Sequence, residues 1–203
     1  MNNIIKDLRK KFKKYDIDGY VIPKNDDYFT EYSKINRLKI ISNFSGSAGL
    51  AIVLKDKNYL FTDGRYTIQS KMESGKNFKI IEIPYTYPKN ILNFNKVKKV
   101  GYDPKLFTLS TLERYFGNKF QLIAIKKNLI DLIDFEQKKE SSFFFTIHDK
   151  TVGESVSSKI NRLHKIIRKN SAENIFVSAP ENVAWLLNIR GKDNPNSPIP
   201  NAR

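Results

Sequence analysis

Apolar residues recur at Ile4, Leu8, Phe12 and Tyr15 with lysines between them, which predicts an amphipathic helix running to about Tyr15. Asp18-Gly19 then turns the chain into Tyr20-Val21-Ile22-Pro23, a short apolar run that reads as a buried strand. Residues 24–28 form a polar loop leading into a short helical stretch near Glu31. Leu50–Leu54 and Asn58–Thr62 are strand-like runs joined by Lys55-Asp56-Lys57, which predicts a hairpin. A helix follows Thr62, and then come a strand over 78–83, a strand over 98–102, a helix over Leu109–Phe116 and a strand over 120–125. A hairpin combined with strand–helix–strand units implies a mixed α/β sheet with helices on its faces.

Residues 134–151 are polar and irregular apart from Phe143-Phe144-Phe145, and a domain boundary is expected there: a first domain over 1–133, a linker over 134–152 and a second domain over 153–203. The second domain opens with a long helix over 153–169, whose apolar Val156, Ile160, Leu163 and Ile167 are spaced four, three and four apart. A strand over 174–178 and a helix over 181–187 follow, before the proline-rich NIRGKDNPNSPIPNAR. The order helix, GYVIP, loop and helix, then ISNFSG, recurs as helix, NIFVSAP and helix, then LLNIRG. In the first copy a hairpin comes next; in the second the chain reaches Arg203 without one, so this domain is expected to be incomplete, with an unpaired strand edge.

Hydrophobic content of 40% and aromatic content of 12% are enough for a buried core. No apolar run approaches the roughly 18 residues of a membrane span. The basic N-terminal stretch lacks a continuous apolar core, so it reads as a packed helix rather than a signal peptide or a membrane-surface helix. Cysteine is absent, which excludes disulfides, thiolate metal sites and a cysteine nucleophile, and fits a reducing cytoplasm. The net charge of +15 raises nucleic-acid binding. Against it, the lysines are scattered and rise together with Asn, Ile, Tyr and Phe, the joint bias of an AT-rich coding sequence. There is also no aromatic-and-basic strand pair of the RNA-recognition type. Nucleic acid is therefore not an expected partner.

Three stretches invite a chemical reading. Ser45-Gly46-Ser47-Ala48-Gly49 resembles a phosphate loop, but such a loop needs a helix N-terminus after it and usually Lys-Ser/Thr, where this chain has Leu50-Ala51 and a strand. A tight turn into the hairpin is the expected role. The only histidines are His148 and His164. His148-Asp149 with Glu154 offers ligand atoms, yet no second histidine sits at helical or loop spacing, and His164 is expected on the solvated side of its helix. No G-x-S-x-G elbow is present. In TDGRY, Asp63 stands at a helix N-cap position, Gly64 permits the turn, Arg65 onward is expected to be helical, and Gly75 ends the helix. Ile68 and Met72, with Tyr66 beside them, are expected to pack on the sheet. Every residue of Asp63-Gly64-Arg65 thus has a structural job, and a functional role for Arg65 or Tyr66, at a strand end, is the lesser alternative.

GYVIPKNDDYFTEY, NFSGSAGLAIVL, LFTDGRYTIQSKME, VGYDPKLFT and VAWLLNIRGKDNPNSPIP, in that order, resemble the N-terminal part of the three-domain Xaa-Pro aminopeptidase (aminopeptidase P) family, which groups with creatinase and prolidase. The resemblance covers nearly all of the chain. It implies a creatinase N-terminal-like (ribonuclease H-like) α/β fold, a mixed sheet flanked by helices plus the start of a second related domain, which would account for the repeat. It further implies a C-terminal "pita-bread" domain that removes an N-terminal residue preceding proline, using two divalent metals, usually manganese, held by Asp, His and Glu. None of those ligand motifs has a counterpart here. The implied role is thus the non-catalytic N-terminal portion of such a metallopeptidase, with no catalytic residue, metal or cofactor of its own and no activity alone.

In such enzymes the N-terminal domains shape the substrate cleft and help to assemble oligomers. The positions that match the family's motifs are Asp63, Gly64, Arg65 and Tyr66, then Trp185, Asn188, Arg190, Gly191 and Asp193. Arg65, Tyr66, Trp185, Arg190 and Asp193 are the cleft or interface candidates, with Arg190 and Asp193 foremost. Asp63, Gly64, Gly46, Gly49 and Gly191 are structural. The partners implied are the catalytic C-terminal domain in the same or a separate chain, proline-containing peptides through the full enzyme, and a second copy in a homo-oligomer; no membrane is implied. The alternative is a stand-alone binding module left by a split or truncated gene.

Overall fold

The computed structural model describes residues 2–30, 35–133, 143–192, 197–200 and 202; the helical stretch expected near Glu31 and the candidate Asp193 lie outside them. Described residues through Ile133 form one compact unit, and those from Phe143 onward form another.

In the first unit the elements run α1 (Asn2–Tyr15), β1 (Gly19–Pro23), α2 (Arg37–Ser42), β2 (Leu50–Leu54), β3 (Asn58–Thr62), a 3₁₀ turn (Gly64–Tyr66), α3 (Thr67–Ser74) and β4 (Lys79–Glu82). They continue with α4 (Pro88–Phe94), β5 (Lys99–Tyr102), a second 3₁₀ turn (Pro104–Leu106), α5 (Leu109–Phe116) and β6 (Gln121–Ala124). The strands make a six-stranded sheet in the order β4-β3-β2-β1-β5-β6. Only β2 is antiparallel to its neighbours; the β2–β3 hairpin pairs Leu50 with Phe61 and Val53 with Asn58. The mixed α/β sheet expected from the sequence is present. Helices α2 and α4 are the ones that periodicity does not predict: α2 has only six residues, and in α4 only Pro88 and Leu92 are buried.

Alternation along the strands divides the core between the sheet's two faces. Tyr20, Ile22, Ala51, Val53 and Leu60 face Ile5, Leu8 and Phe12 of α1 and Leu38 and Ile41 of α2. Val21, Leu50, Ile52 and Phe61 face Leu92 of α4 and Leu112 and Phe116 of α5. Each fully buried side chain of this kind contributes about 1.5–3 kcal/mol. Polar groups lock the layers together. Arg9 donates from α1 to the Leu54 carbonyl at 2.8 Å and to Asn58 Oδ1 at 3.0 Å. Arg37 at the start of α2 forks onto Asp131 at 2.7 and 2.8 Å. Burial pushes the Tyr20 phenol well above its ordinary pKa, and its oxygen accepts from the Leu129 N–H at 3.3 Å.

Two expectations in this unit are corrected. Asp63 caps the 3₁₀ turn rather than an α-helix, and α3 proper begins at Thr67. Ile68 and Met72 do not pack on the sheet: they are 74% and 82% exposed, while Ser70 and Ser74 are buried. Residues two apart on a helix point about 200° away from each other, so turning the serines inward turns the apolar pair out. The polar contacts made by Gln69 and Glu73 with Ser45 set that orientation.

The second unit comprises β7 (Phe144–Thr146), α6 (Asp149–Val152), α7 (Val156–Lys169), α8 (Pro180–Leu186) and β8 (Ile189–Gly191). Strands β7 and β8 pair antiparallel, Phe145 opposite Arg190, so residues expected within a linker carry a strand and a helical turn. Helix α7 starts at Val156 with Ser155 as its cap, because Gly153 terminates α6 at φ 80°. The strand expected over 174–178 does not form, and Ile175 and Phe176 stand 54% and 77% exposed. A strand needs a partner ladder, and among the described residues β7 and β8 pair only with each other. The buried core here is small: Val183, Ala184 and Ile189.

Candidate functional site

Strands β1, β3, β4 and β5 run in one direction, so their carboxyl ends gather along one edge of the sheet, where open α/β sheets form ligand crevices. A crevice of about 310 Å³ lies there, between the strand ends and α5. Leu50, Phe61, Ile83 and Phe107 give it an apolar floor; Asn25, Asp63, Thr111 and Arg114 give it polar walls.

Asp63 reaches this edge because β3 ends at Thr62, whose hydroxyl donates to the Ala48 carbonyl at 2.9 Å. Its Oδ1 accepts from the Arg65 N–H and Nε, each at 3.0 Å, and its Oδ2 from Arg65 Nη2 at 2.8 Å. The Arg65 side chain therefore holds the Asp63 carboxyl below the usual carboxylate range, ahead of a smaller opposing effect of burial. Asp63 lines the crevice, whereas Arg65 and Tyr66 do not. The Arg65 guanidinium lies 5.1 Å over the Tyr66 ring; Tyr66 shares a hydrogen with Ser47 Oγ at 2.8 Å and sets its ring against Phe44 at 5.7 Å.

The glycine-rich turn is held from within. Phe44 lies under it so closely that a Cβ on Gly46 would meet the ring at 2.3 Å, and one on Gly49 at 3.1 Å. The Ser45 N–H and hydroxyl both donate to Glu73, at 2.7 and 2.8 Å. Burial raises the Glu73 pKa, but the bonds from Ser45 and Gln69 outweigh it and leave the carboxyl below its ordinary value. A carboxylate thus occupies the N–H that a phosphate would use, and the stretch is a braced turn.

The second unit gathers Trp185, Asn188 and Arg190 around the end of α8. Lys159, 4% exposed, donates to the Trp185 carbonyl and to Asn188 Oδ1, both at 2.6 Å, and lies 4.3 Å over the Trp185 ring. Arg190 folds back onto the Ile189 carbonyl at 2.8 Å, and the Gly191 N–H donates to the Pro198 carbonyl at 2.8 Å. Lys159 escaped the sequence reading although it falls on the stripe of Val156, Ile160 and Leu163; a lysine on an apolar stripe was the available signal. Arg114, Asn25 and Thr111 carried no local signal, since only the fold brings α5 beside the strand ends.

The residues do not fit a metal centre. Among the described residues no three His, Asp or Glu side chains converge as ligands, and His148 Nδ1 accepts from the Lys150 N–H at 3.2 Å as the cap of α6. Among the described residues the crevice combines one carboxylate, one guanidinium and an apolar floor, a set suited to binding.

Comparison with known proteins places this architecture. A creatinase/prolidase N-terminal domain model matches residues 4–132, and a second model of the same description matches residues 136–203. The chain belongs to the creatinase/prolidase N-terminal domain family. Among curated relatives, a probable Xaa-Pro aminopeptidase P of Laccaria bicolor is 33% identical over 95% of this chain and 32% of its own length. Xaa-Pro aminopeptidase 1 of Dictyostelium discoideum is 33% identical over 96% of this chain and 34% of its own length. The chain thus spans about a third of these creatinase/prolidase relatives. Among solved structures, the X-prolyl aminopeptidase of Caenorhabditis elegans, described as a cytosolic enzyme with a di-nuclear active site, superposes with a TM-score of 0.77 at 24% identity, over 97% of this chain and 36% of that one. The N-terminal domain of cytoplasmic peptidase PepQ from Mycobacterium tuberculosis superposes with a TM-score of 0.52 at 18% identity, over 65% of this chain and 98% of that domain. These two likenesses concern the fold.

Proposed function

We propose that this chain is the non-catalytic N-terminal portion of an Xaa-Pro aminopeptidase-like protein, shaping access to a substrate cleft and contributing to an oligomer. The observation that carries this reading is the coverage: N-terminal domain models account for 4–132 and 136–203, and together these reach only about a third of the relatives' length. The chemistry, release of an N-terminal residue before proline by a metal pair such as manganese, then belongs to chain outside these residues. The missing ligand cluster among the described residues supports that division, since two-metal hydrolysis needs donors around both ions. The absence of cysteine and the cytosolic description of the nematode neighbour support a cytoplasmic setting. No helix among the described residues is long and apolar enough to cross a membrane.

Arg65, Tyr66, Trp185 and Arg190 remain the cleft or interface candidates, and the side-chain exposure of Arg65, 68%, suits contact with another surface. The exposed Ile175 and Phe176, beside a segment with no ladder partner, favour a variant of this reading in which a separate catalytic chain docks here. The test is an Xaa-Pro peptidase assay with manganese on the purified 203-residue chain. We expect no turnover alone, and chelator-sensitive turnover once the remaining two thirds are supplied, in the same chain or as a second one. Chelator-sensitive cleavage by the short chain alone would overturn the proposal.

A further inference from the structure

The crevice in the first unit has a charge pattern that the aminopeptidase reading does not use. Arg114 sits on its wall with no carboxylate partner among the described residues; its guanidinium lies 4.9 Å over the ring of its neighbour Tyr115. Among the described residues Asp63 is the one carboxylate lining the same space, and it is oriented by the fork from Arg65. Asn25 donates its amide hydrogens to the Asp26 and Leu106 carbonyls, each at 3.0 Å, so its Oδ1 is an acceptor with no described donor. The floor between these groups is aliphatic and aromatic.

The mouth is shaped by a costly backbone conformation. Phe29 lines the crevice at φ 62°, a region that a bulky residue rarely adopts. The turn is held in place by Asp26, whose carboxylate accepts from the Tyr28 and Thr30 N–H groups at 3.0 and 2.9 Å and from the Thr30 hydroxyl at 2.9 Å. Such conformations persist where the surroundings over-determine them, and they cluster at ligand clamps.

Size narrows the occupant. At about 30 Å³ per water-sized group, 310 Å³ accommodates about ten heavy atoms. A peptide of several residues is too large to be enclosed; a single zwitterion with a large side chain is not. We propose that this crevice binds a free α-amino acid with a large apolar side chain, its carboxylate on Arg114, its ammonium on Asp63 and Asn25 Oδ1, and its side chain over Leu50, Phe61 and Phe107. Charge-assisted hydrogen bonds at both ends would give selectivity for the zwitterion over either blocked form. This inference stands independently of the aminopeptidase reading, because it concerns only side chains of the first unit.

Calorimetric titration of the full 203-residue chain with leucine, methionine and phenylalanine, and with glycine, N-acetyl-leucine and leucinamide, tests it. Saturable binding is expected for at least one of the large apolar amino acids, with affinity at least about tenfold weaker for glycine and for both blocked forms. Arg114→Gln, at an exposed position, should leave the melting midpoint unchanged and erase the preference for leucine over leucinamide. Thr111→Phe, which fills the mouth, should abolish binding altogether. The proposal is overturned if no amino acid in the panel binds saturably up to about 10 mM. It is equally overturned if the blocked forms bind as well as the free ones, or if Arg114→Gln leaves the preference intact.

Discussion

Asp63 shows how one side chain can serve several contacts without being a catalyst: it caps a 3₁₀ turn, forks with Arg65 and lies on the lining of the crevice. Its neighbour in space, the glycine-rich turn, is governed by a different physical limit, the volume of Phe44. The ring is fully buried, and a methyl group on Gly46 would overlap it. Gly46→Ala should therefore destabilise the first unit by about 1–3 kcal/mol, as overpacking does. Phe44→Leu alone should cost about 1 kcal/mol, and the double variant should lose less than the sum, because the smaller side chain makes room for the new methyl. Urea titrations of the four proteins check this, and strict additivity would show that Gly46 is needed for some reason other than Phe44. The requirement for glycine was visible in the sequence as SGSAG; what imposes it was not, since it depends on where the ring two residues earlier turns.

At the scale of elements, periodicity located most of the first unit. Strands β2 and β3 and helix α5 form over the residues that their apolar runs mark, and α1 buries Ile5, Leu8 and Phe12 on one stripe. Helix α3 is the counter-example. Its apolar pair points outward because Ser70 and Ser74 face the sheet while Gln69 and Glu73 grip the glycine-rich turn. Ile68→Glu and Met72→Glu should each change the unfolding free energy by no more than about 0.5 kcal/mol, the range of surface substitutions. A loss of about 2–5 kcal/mol, typical of a core position, would mean that the pair is buried. Residues 174–178 fail for another reason. Strand propensity describes what a segment accepts once a neighbouring ladder exists, and among the described residues none pairs with this one. The candidate site divides in the same way: TDGRY marked Asp63 only as a structural cap, with Arg65 and Tyr66 as the cleft candidates, yet of the three it is Asp63 that lines the crevice, and Arg114 reads locally as an ordinary exposed residue of an amphipathic helix.

For the molecule as a whole, a net charge of +15 and several carboxylates held in their ionised form make acid the weak direction. Glu73 has a folded-state pKa below its ordinary value of 4.5, and so does Asp18 relative to 3.8, where bonds from Lys55, Lys98 and Lys99 outweigh the effect of burial. A depressed carboxylate stabilises the fold above its unfolded pKa, and that contribution disappears as pH falls through the lower folded value. Stability should therefore decline below about pH 4.5, and Glu73→Gln should decline less steeply, having no proton to take up at that position. Parallel pH profiles for the two proteins would remove Glu73 from this account. The sequence by itself determined the family, through the motifs that resemble it and stand in its order, and also the mixed α/β class and the helices and strands whose apolar periodicity is strong, because these last depend on spacing along the chain. Tertiary structure alone decided which face of α3 is buried, whether 174–178 becomes a strand, and which side chains meet at the carboxyl ends of the sheet. Those outcomes depend on contacts between residues far apart in sequence, where the packing of Phe44, the grip of Glu73 on Ser45 and the approach of α5 to the strand ends outweigh local preference.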